Sequence, residues 1–292
     1  MGETTAIAWT HATFNPWWGC QRVSPGCGLG KSVGGCYAEA LAKRYGHDVW
    51  GPTSPRRFFG DEHWNEPLRW NRDALADGER RRVFCASMAD VFEDRRDLDD
   101  QRARLWELIE KTPGLDWLLL TKRPEHMSRF SPARWSARWP DNIWAGATME
   151  SQEYYDRRWP ILARVPARVT FVSHEPAIGP LILKCHGCGH DTRAHMAPDQ
   201  GGCPAGFPTW VISGGESGGG PRAYDLAWAR SLRDQCHGTI IKFFLKQLGA
   251  APVVAHGPVI ASRLLLKDRR AGAEPSEWPS DLRDCRAFPG AA

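Results

Sequence analysis

A parallel α/β architecture, a full or partial (β/α) barrel of about seven strands, is the fold class this sequence predicts. Three observations predict it. Short apolar runs of β-type residues recur along most of the chain. Amphipathic helical stripes lie between most of them. Nearly every apolar run ends in residues able to do chemistry, and active sites of parallel α/β folds lie at the C-terminal ends of strands.

The predicted strands are Ala6–Thr10, Val83–Ser87, Trp117–Thr121, Ile143–Thr148, Val169–Ser173, Trp210–Ser213 and Ile240–Leu245. Each is dense in Val, Ile, Leu, Phe or Trp, and several lack polar alternation, as strands buried on both faces do. Between them, Leu98–Lys111 places Leu105, Leu108 and Ile109 on one helical stripe, and Tyr224–Gln235 does the same with Tyr224, Trp228 and Leu232. Helices are also expected over Tyr37–Tyr45, Glu66–Leu75, Pro124–Phe130 and Ser151–Leu162. Strand, helix, strand at this interval argues repeated βα units. An open doubly wound sheet would give a similar pattern and stands as the alternative.

The residues at the strand ends are Ser87 and Asp90, Thr121-Lys122-Arg123, Thr148 and Glu150, His174-Glu175, Gly214-Gly215-Glu216, and Lys246-Gln247. Ser, Thr, Asp and Gly are also common helix caps and turn formers. That ordinary role accounts less well for Glu150, Glu175 and Lys246, which are the candidate catalytic residues. Ser87, Asp90, Gly214, Gly215 and Glu216 are the candidate cofactor-binding ones.

Two stretches interrupt the rhythm. Residues 46–65 are rich in Pro, Gly, Arg and aromatics and are expected to form an extended loop. Residues 184–208 form an insertion with its own cysteines within a barrel spanning 1–249, and 250–292 are expected to wrap the C-terminal side. The 292 residues, 42% hydrophobic and 25% charged, suit a soluble enzyme with a sizeable core. The N-terminus lacks a signal-peptide pattern and no apolar run is long enough to span a bilayer, so a cytoplasmic protein without membrane contact is expected. In a reducing compartment, clustered cysteines among the nine point to metal rather than disulfides. The net charge of +4 permits contact with DNA or RNA without demanding it. The oligomeric state is not legible.

The first cluster is Phe14-Asn-Pro-Trp-Trp-Gly-Cys20, then Ser24-Pro-Gly-Cys27, then Cys36-Tyr-Ala-Glu39, all in the loop between the first strand and first helix. Soft thiolates held by Gly- and Pro-containing backbone suit an iron–sulfur centre. With Cys20, Cys27 and Cys36 as the ligands of a [4Fe–4S] cluster, one iron stays open to chelate S-adenosyl-L-methionine, whose reductive cleavage releases a 5′-deoxyadenosyl radical. A structural zinc site completed by His11 or another cysteine is the competing reading. Trp17 and Trp18 beside Cys20 would shield the centre from water and oxygen. The second cluster, Cys185-His-Gly-Cys188-Gly-His190 with His195 and Cys203, has zinc-ligand spacing. The favoured Zn2+ ligands are Cys185, Cys188, His195 and Cys203, with His190 as substitute for His195, because a short insertion without an apolar core needs a staple. A second iron–sulfur cluster is the alternative there. Cys85, Cys236 and Cys285 stand alone and read as small apolar residues. Arg56-Arg57-Phe58-Phe59 mixes cations with aromatics, a combination that suits phosphate contact with base stacking or an ordinary amphipathic surface.

The cysteine run resembles the phage-associated radical-SAM-like family of uncharacterised proteins, whose members read like Trp-Asn-Pro-x-x-Gly-Cys, Ser-Pro-Gly-Cys and Cys-Tyr-Ala-Glu. Phe14 stands here where the family shows Trp, and residues 28–33 look like an insertion before Cys36. The likeness continues through Ser87-Met-Ala-Asp90, Leu120-Thr-Lys-Arg-Pro-Glu125, Ser173-His-Glu-Pro176, Gly214-Gly-Glu-Ser-Gly218 and Phe243-Phe-Leu-Lys-Gln247. The resemblance implies a radical enzyme, with modification or repair of nucleic acid as one outcome. Gly214-Gly215-Glu216 is similar to the motif that binds the methionine amino group in radical-SAM enzymes, although there it normally follows the second strand. A zinc-stapled, non-catalytic nucleic-acid-binding protein is the alternative from another class.

Overall fold

The computed structural model describes residues 5–28, 35–192, 206–256 and 259–290. His195 and Cys203 lie outside the described residues. Seven parallel strands make one sheet: β1 (Ala12–Thr13), β2 (Arg81–Cys85), β3 (Leu115–Thr121), β4 (Ile143–Thr148), β5 (Val169–His174), β6 (Trp210–Gly214) and β7 (Lys242–Gln247). Their spatial order is their chain order. A doubly wound sheet reverses its order at a switch point; this one does not, so the alternative falls. β1 and β7 are the two end strands, so the sheet is the partial form of the barrel.

The helices fall where the apolar stripes predict: α1 (Tyr37–Arg44), α2 (Asp61–Asp77), α3 (Asp99–Glu110), α4 (Met127–Phe130), α5 (Gln152–Leu162) and α6 (Leu226–Cys236). Two expectations are corrected. Residues 6–10 are not a strand. Thr10 closes a turn onto Ile7, and its hydroxyl donates to the carbonyls of Ala12 and Arg82 at 3.0 and 2.8 Å. Pairing with β2 therefore begins only at Ala12. The loop expected over 46–65 is shorter, because α2 starts at Asp61: Asp61 and Glu62 occupy its first turn, where the helix dipole favours acidic groups.

By compactness the chain divides into two units. The first holds residues 1–24, 35–147 and 165–168 and includes β1 to β3 and most of β4. Its sheet packs Phe14 edge-on to Trp64 and Trp117, beside Val83, Leu118 and Leu119, all buried. A second layer joins Trp18, Ala38, Ala42, Val49 and Met88 under α1. The long segment before α2 is held by Arg56. Its guanidinium is fully buried, pairs with Glu93 at 2.7 Å and donates to the carbonyls of Val49, Gly51 and Ser54. Close passage of the chain at Gly19 needs glycine twice over. Its φ is +116°, and a Cβ there would meet the Val49 carbonyl at 2.4 Å.

The second unit holds residues 25–34, 148–164 and 169–292. Its core is Phe171, Trp210, Ile212, Phe244 and Leu245 from β5 to β7, with Leu226, Ala229 and Leu232 from α6. Beyond β7, Pro252–His256 pairs antiparallel with Val259–Arg263 and parallel with Tyr224–Asp225. No helix among the described residues is long and apolar enough to cross a membrane.

Removing one member of a buried ion pair leaves an uncompensated charge in the interior, at a cost of about 3–5 kcal/mol. Arg56→Ala is therefore expected to lower the melting temperature by roughly 10 °C. The neighbouring Arg57→Ala, which deletes an exposed side chain, should leave the melting temperature within a degree or two. Equal melting of the two variants in calorimetry would contradict the assignment.

Candidate functional site

In the first unit the cysteine loop leaves β1, and Asn15 ties its start to the end of β2. The Asn15 amide oxygen accepts from Met88 N–H at 2.7 Å, and its Nδ2 donates to the Ser87 hydroxyl at 3.1 Å. The loop then runs beside Asp90, as Gly19 N–H donates to the Met88 carbonyl at 3.0 Å. Cys20 comes to rest against Arg123 from the end of β3. The Arg123 guanidinium lies 3.7 Å from the Cys20 sulfur, donates to the Gln21 carbonyl at 2.9 Å, and pairs with Asp90 at 2.7 Å. Asp90 is saturated: it also accepts from the Thr121 hydroxyl and from the backbone N–H groups of Lys122 and Phe92. Burial opposes ionisation of Asp90, yet Arg123 and these donors hold its carboxyl below the usual carboxylate range. Burial likewise pushes the Cys20 thiol up to about 12 against the pull of Arg123. The raised value keeps this thiol protonated at neutral pH, so any metal that bound it would have to displace the proton.

The same unit places Cys36 at the N-cap of α1, where its side chain makes no capping hydrogen bond. Glu39, in the first turn of that helix, bonds Arg22 of the cysteine loop at 2.7 Å and Lys43 at 2.8 Å. Desolvation raises the Glu39 pKa, and the two cations outweigh it and leave it lowered.

The second unit holds the stretch around Cys27 in the same manner, with its own ion pairs. Glu150, fully buried just past β4, pairs with Arg158 at 2.7 Å and accepts from Gly26 N–H at 3.2 Å. A Cβ at Gly26 would sit 2.9 Å from that carboxylate, so a larger residue here would push Glu150 from its place. Glu216 pairs with Arg222 and accepts from its backbone N–H at 2.7 Å; Arg222 in turn donates to the Pro25 carbonyl at 2.9 Å. Glu150 and Glu216 thus act on the backbone of residues 25–26 rather than facing an open space. Gly214 and Gly215 provide close backbone approach to the end of β7: a Cβ on Gly215 would lie 2.6 Å from the Leu248 carbonyl, and the Gln247 amide donates to the Gly215 carbonyl at 2.7 Å. Glu175 and Lys246 form a 3.0 Å ion pair at the ends of β5 and β7, with the Lys246 side chain 24% exposed. The Glu175 side chain is 12% exposed, so the pair lies at the edge of the buried strand ends.

His174 is buried between Ser213 at 3.1 Å and the Gly179 carbonyl at 3.0 Å. The carbonyl only accepts, so Nε2 carries the proton and Nδ1 accepts from Ser213, whose oxygen takes the Tyr224 hydroxyl proton at 3.0 Å. Burial lowers the His174 pKa to about 4.

At the second cysteine cluster the described part forms a tight knuckle. Cys185 N–H donates to the His190 carbonyl at 2.7 Å and Gly189 N–H returns to the Cys185 carbonyl, with Gly189 at φ +74°. Cys185 is buried and Cys188 exposed. Among the described residues no group of three His, Cys, Asp or Glu side chains is arranged to hold a metal. Composition and spacing do not single out the cations: Arg123, one of three polar residues at a strand end, and Arg158 and Arg222. Buried carboxylates at strand ends demand counter-ions, yet α5 carries Arg157 and Arg158 side by side, and only the fold selects the second.

Two outcomes follow. Glu150→Gln keeps the bond to Gly26 but leaves Arg158 without its charge; Glu150→Ala removes both, and limited proteolysis around residues 25–28 should accelerate only in the second. For His174, the unfolded chain binds a proton near the ordinary value of 6.5 while the folded chain resists until about 4. Folding stability should therefore fall as pH drops through that window, by roughly 3 kcal/mol for this group. The urea midpoint of His174→Gln should show a correspondingly flatter dependence between those limits.

Neither a curated protein nor a solved structure matches the chain. A family model described as "Protein of unknown function (DUF5131)" matches residues 4–272, and the chain belongs to that family.

Proposed function

We propose that this protein is a radical S-adenosyl-L-methionine enzyme whose [4Fe–4S] cluster is ligated by Cys20, Cys27 and Cys36. The observation that carries the reading is the commitment of buried strand-end charges to one loop. Asp90 and Arg123 grip Cys20 and Gln21 in the first unit, while Glu150–Arg158 and Glu216–Arg222 grip Pro25 and Gly26 in the second. Buried ion pairs contribute little net stability compared with apolar packing. Their use on a connecting loop is understandable when the loop's thiols must be held in place. The donor set fits the group: none of the three cysteines is in a disulfide, Cys20 has a cation against its sulfur, and Cys36 stands at the N-cap of α1.

The bound group would supply one-electron reductive cleavage of S-adenosyl-L-methionine. The chain's own residues position the loop. Arg123 orients the Cys20 sulfur and offsets the negative charge of its thiolate. Glu39 ties Arg22 to α1. Trp17 and Trp18, both buried, keep water from the backbone before Cys20. Glu175 and Lys246, a charge pair with an accessible ammonium, would bind the amino and carboxylate groups of the cofactor or a polar substrate. Cys185 and Cys188, with His195 and Cys203, would hold a structural Zn2+, for which the tight turn at Gly189 is the supporting feature.

Anaerobic purification followed by iron and sulfide analysis should find about four of each per chain. Electron paramagnetic resonance of the dithionite-reduced protein should show a cluster signal that changes on adding S-adenosyl-L-methionine, with 5′-deoxyadenosine released. Cys20→Ala, Cys27→Ala and Cys36→Ala should each abolish the signal, Arg123→Ala should weaken iron retention, and Cys236→Ala should do neither. Zinc in place of iron after careful reconstitution would sink the radical mechanism.

A further inference from the structure

The first unit contains a cavity of about 480 Å³ that the cluster loop's grip on the strand ends does not explain. It opens where β1 and β2 end, beside α1, and Trp18, Tyr37, Tyr45, His47, Arg57 and Ser87 line it. Its volume lies within the range of small-molecule sites. Two of its aromatic rings face solvent to an unusual degree, Tyr37 at 53% and Tyr45 at 62% exposure. Trp18, 8% exposed, lies 6.2 Å from Tyr45 and 5.7 Å from His47 between ring centres, and the Tyr37 hydroxyl donates to the Ser87 carbonyl at 2.9 Å.

Arg57 supplies the charge. Its two-residue strand pairs with Trp17–Trp18, and its guanidinium carbon sits 4.9 Å from the centre of the Trp18 ring and 5.0 Å from that of Phe59. Among the described residues no carboxylate lies within ion-pair distance of it. The contrast with Arg56 is immediate, since that neighbour is buried and saturated by Glu93 and three carbonyls. An exposed guanidinium held over an aromatic ring, with no internal counter-ion, is arranged to receive an external anion. Exposed tyrosine faces beside it offer stacking for a flat ring.

We propose that this cavity binds one nucleotide of a single-stranded nucleic acid, its base stacked on Tyr45 and Tyr37 and its phosphate on Arg57. Stacking of this kind needs a base that is not paired in a duplex, and it tolerates any sequence. The inference rests on the radical-enzyme reading only for its consequence, that the substrate is a nucleic acid. The binding itself stands on the cavity.

The test is fluorescence anisotropy of a labelled single-stranded oligonucleotide of about 10 nucleotides, titrated with the full-length chain as isolated and after cluster reconstitution. Arg57→Ala and Tyr45→Ala should each weaken binding about tenfold, the loss expected of one stacking or charge contact. Arg57→Ala should also reduce the slope of log affinity against log salt by about 0.7. Arg138→Ala, which deletes an exposed cation of the same unit outside the cavity, should change affinity less than twofold, and the duplex of the same sequence should bind more weakly than the single strand. Unchanged melting of Arg57→Ala and Tyr45→Ala confirms that they fold. Wild-type affinity in both variants would overturn the proposal, as would displacement of the oligonucleotide by S-adenosyl-L-methionine, which would give the cavity to the cofactor. Cluster assembly and 5′-deoxyadenosine release with no oligonucleotide binding would defeat this inference alone. Arg57-dependent binding by a chain that never takes up iron would defeat the radical reading alone.

Discussion

The pairing of Arg123 with Asp90 is the constraint from which the first unit's site follows. Both side chains are about 7% exposed, so each charge has been taken out of water and needs the other. Their mutual attraction is strengthened by burial, but so is the cost of placing them there. The arrangement is sustained because Asp90 collects three further hydrogen bonds and Arg123 extends its remaining donors to the Gln21 carbonyl and the Cys20 sulfur. A change at any member leaves another with unmet polar groups. The loop carrying Cys20 is therefore as well determined as the strand ends beneath it.

The second unit uses the same device with other residues. Glu150 and Glu216 are acidic groups at strand ends, a position where catalytic carboxylates are common. Here each is neutralised by an arginine, Arg158 or Arg222, and each pair terminates on the backbone of residues 25–26. Glycine at position 26 suits this arrangement, since the carboxylate approaches where a side chain would stand. Among the strand-end charges described, Glu175 and Lys246 differ in pairing with each other and not with the loop backbone.

Arg56 and Arg57 show how little of such a distinction is written in local sequence. They are adjacent and identical in chemistry, yet Arg56 is buried against Glu93 and Arg57 is exposed at the start of a two-residue strand. One closes a buried network that shapes the segment before α2. The other lies over Trp18 at the surface. A reading of Arg56-Arg57-Phe58-Phe59 as a single basic and aromatic motif joins two residues with separate roles.

The sequence by itself determined the α/β class, six of the seven strands of the parallel sheet and the position of almost every helix. Buried parallel strands need continuous apolar runs and their helices need a one-sided stripe, and both patterns are local. It also singled out the cysteine loop and the strand-end residues, because reactive side chains stand out against those apolar runs. Only the tertiary structure decided the uninterrupted strand order that makes the sheet a partial barrel, since order depends on which strands pair and not on what each contains. Only the fold moved the first strand to Ala12–Thr13, where the carbonyls of Arg82 and Phe84 accept from the backbone N–H groups of His11 and Phe14 on either side of it. Only the fold, too, divided the strand-end charges into those that hold the loop and those left facing outward. A carboxylate's role is set by the counter-ion that burial brings to it, and Arg123 stands 103 residues from Cys20 along the chain.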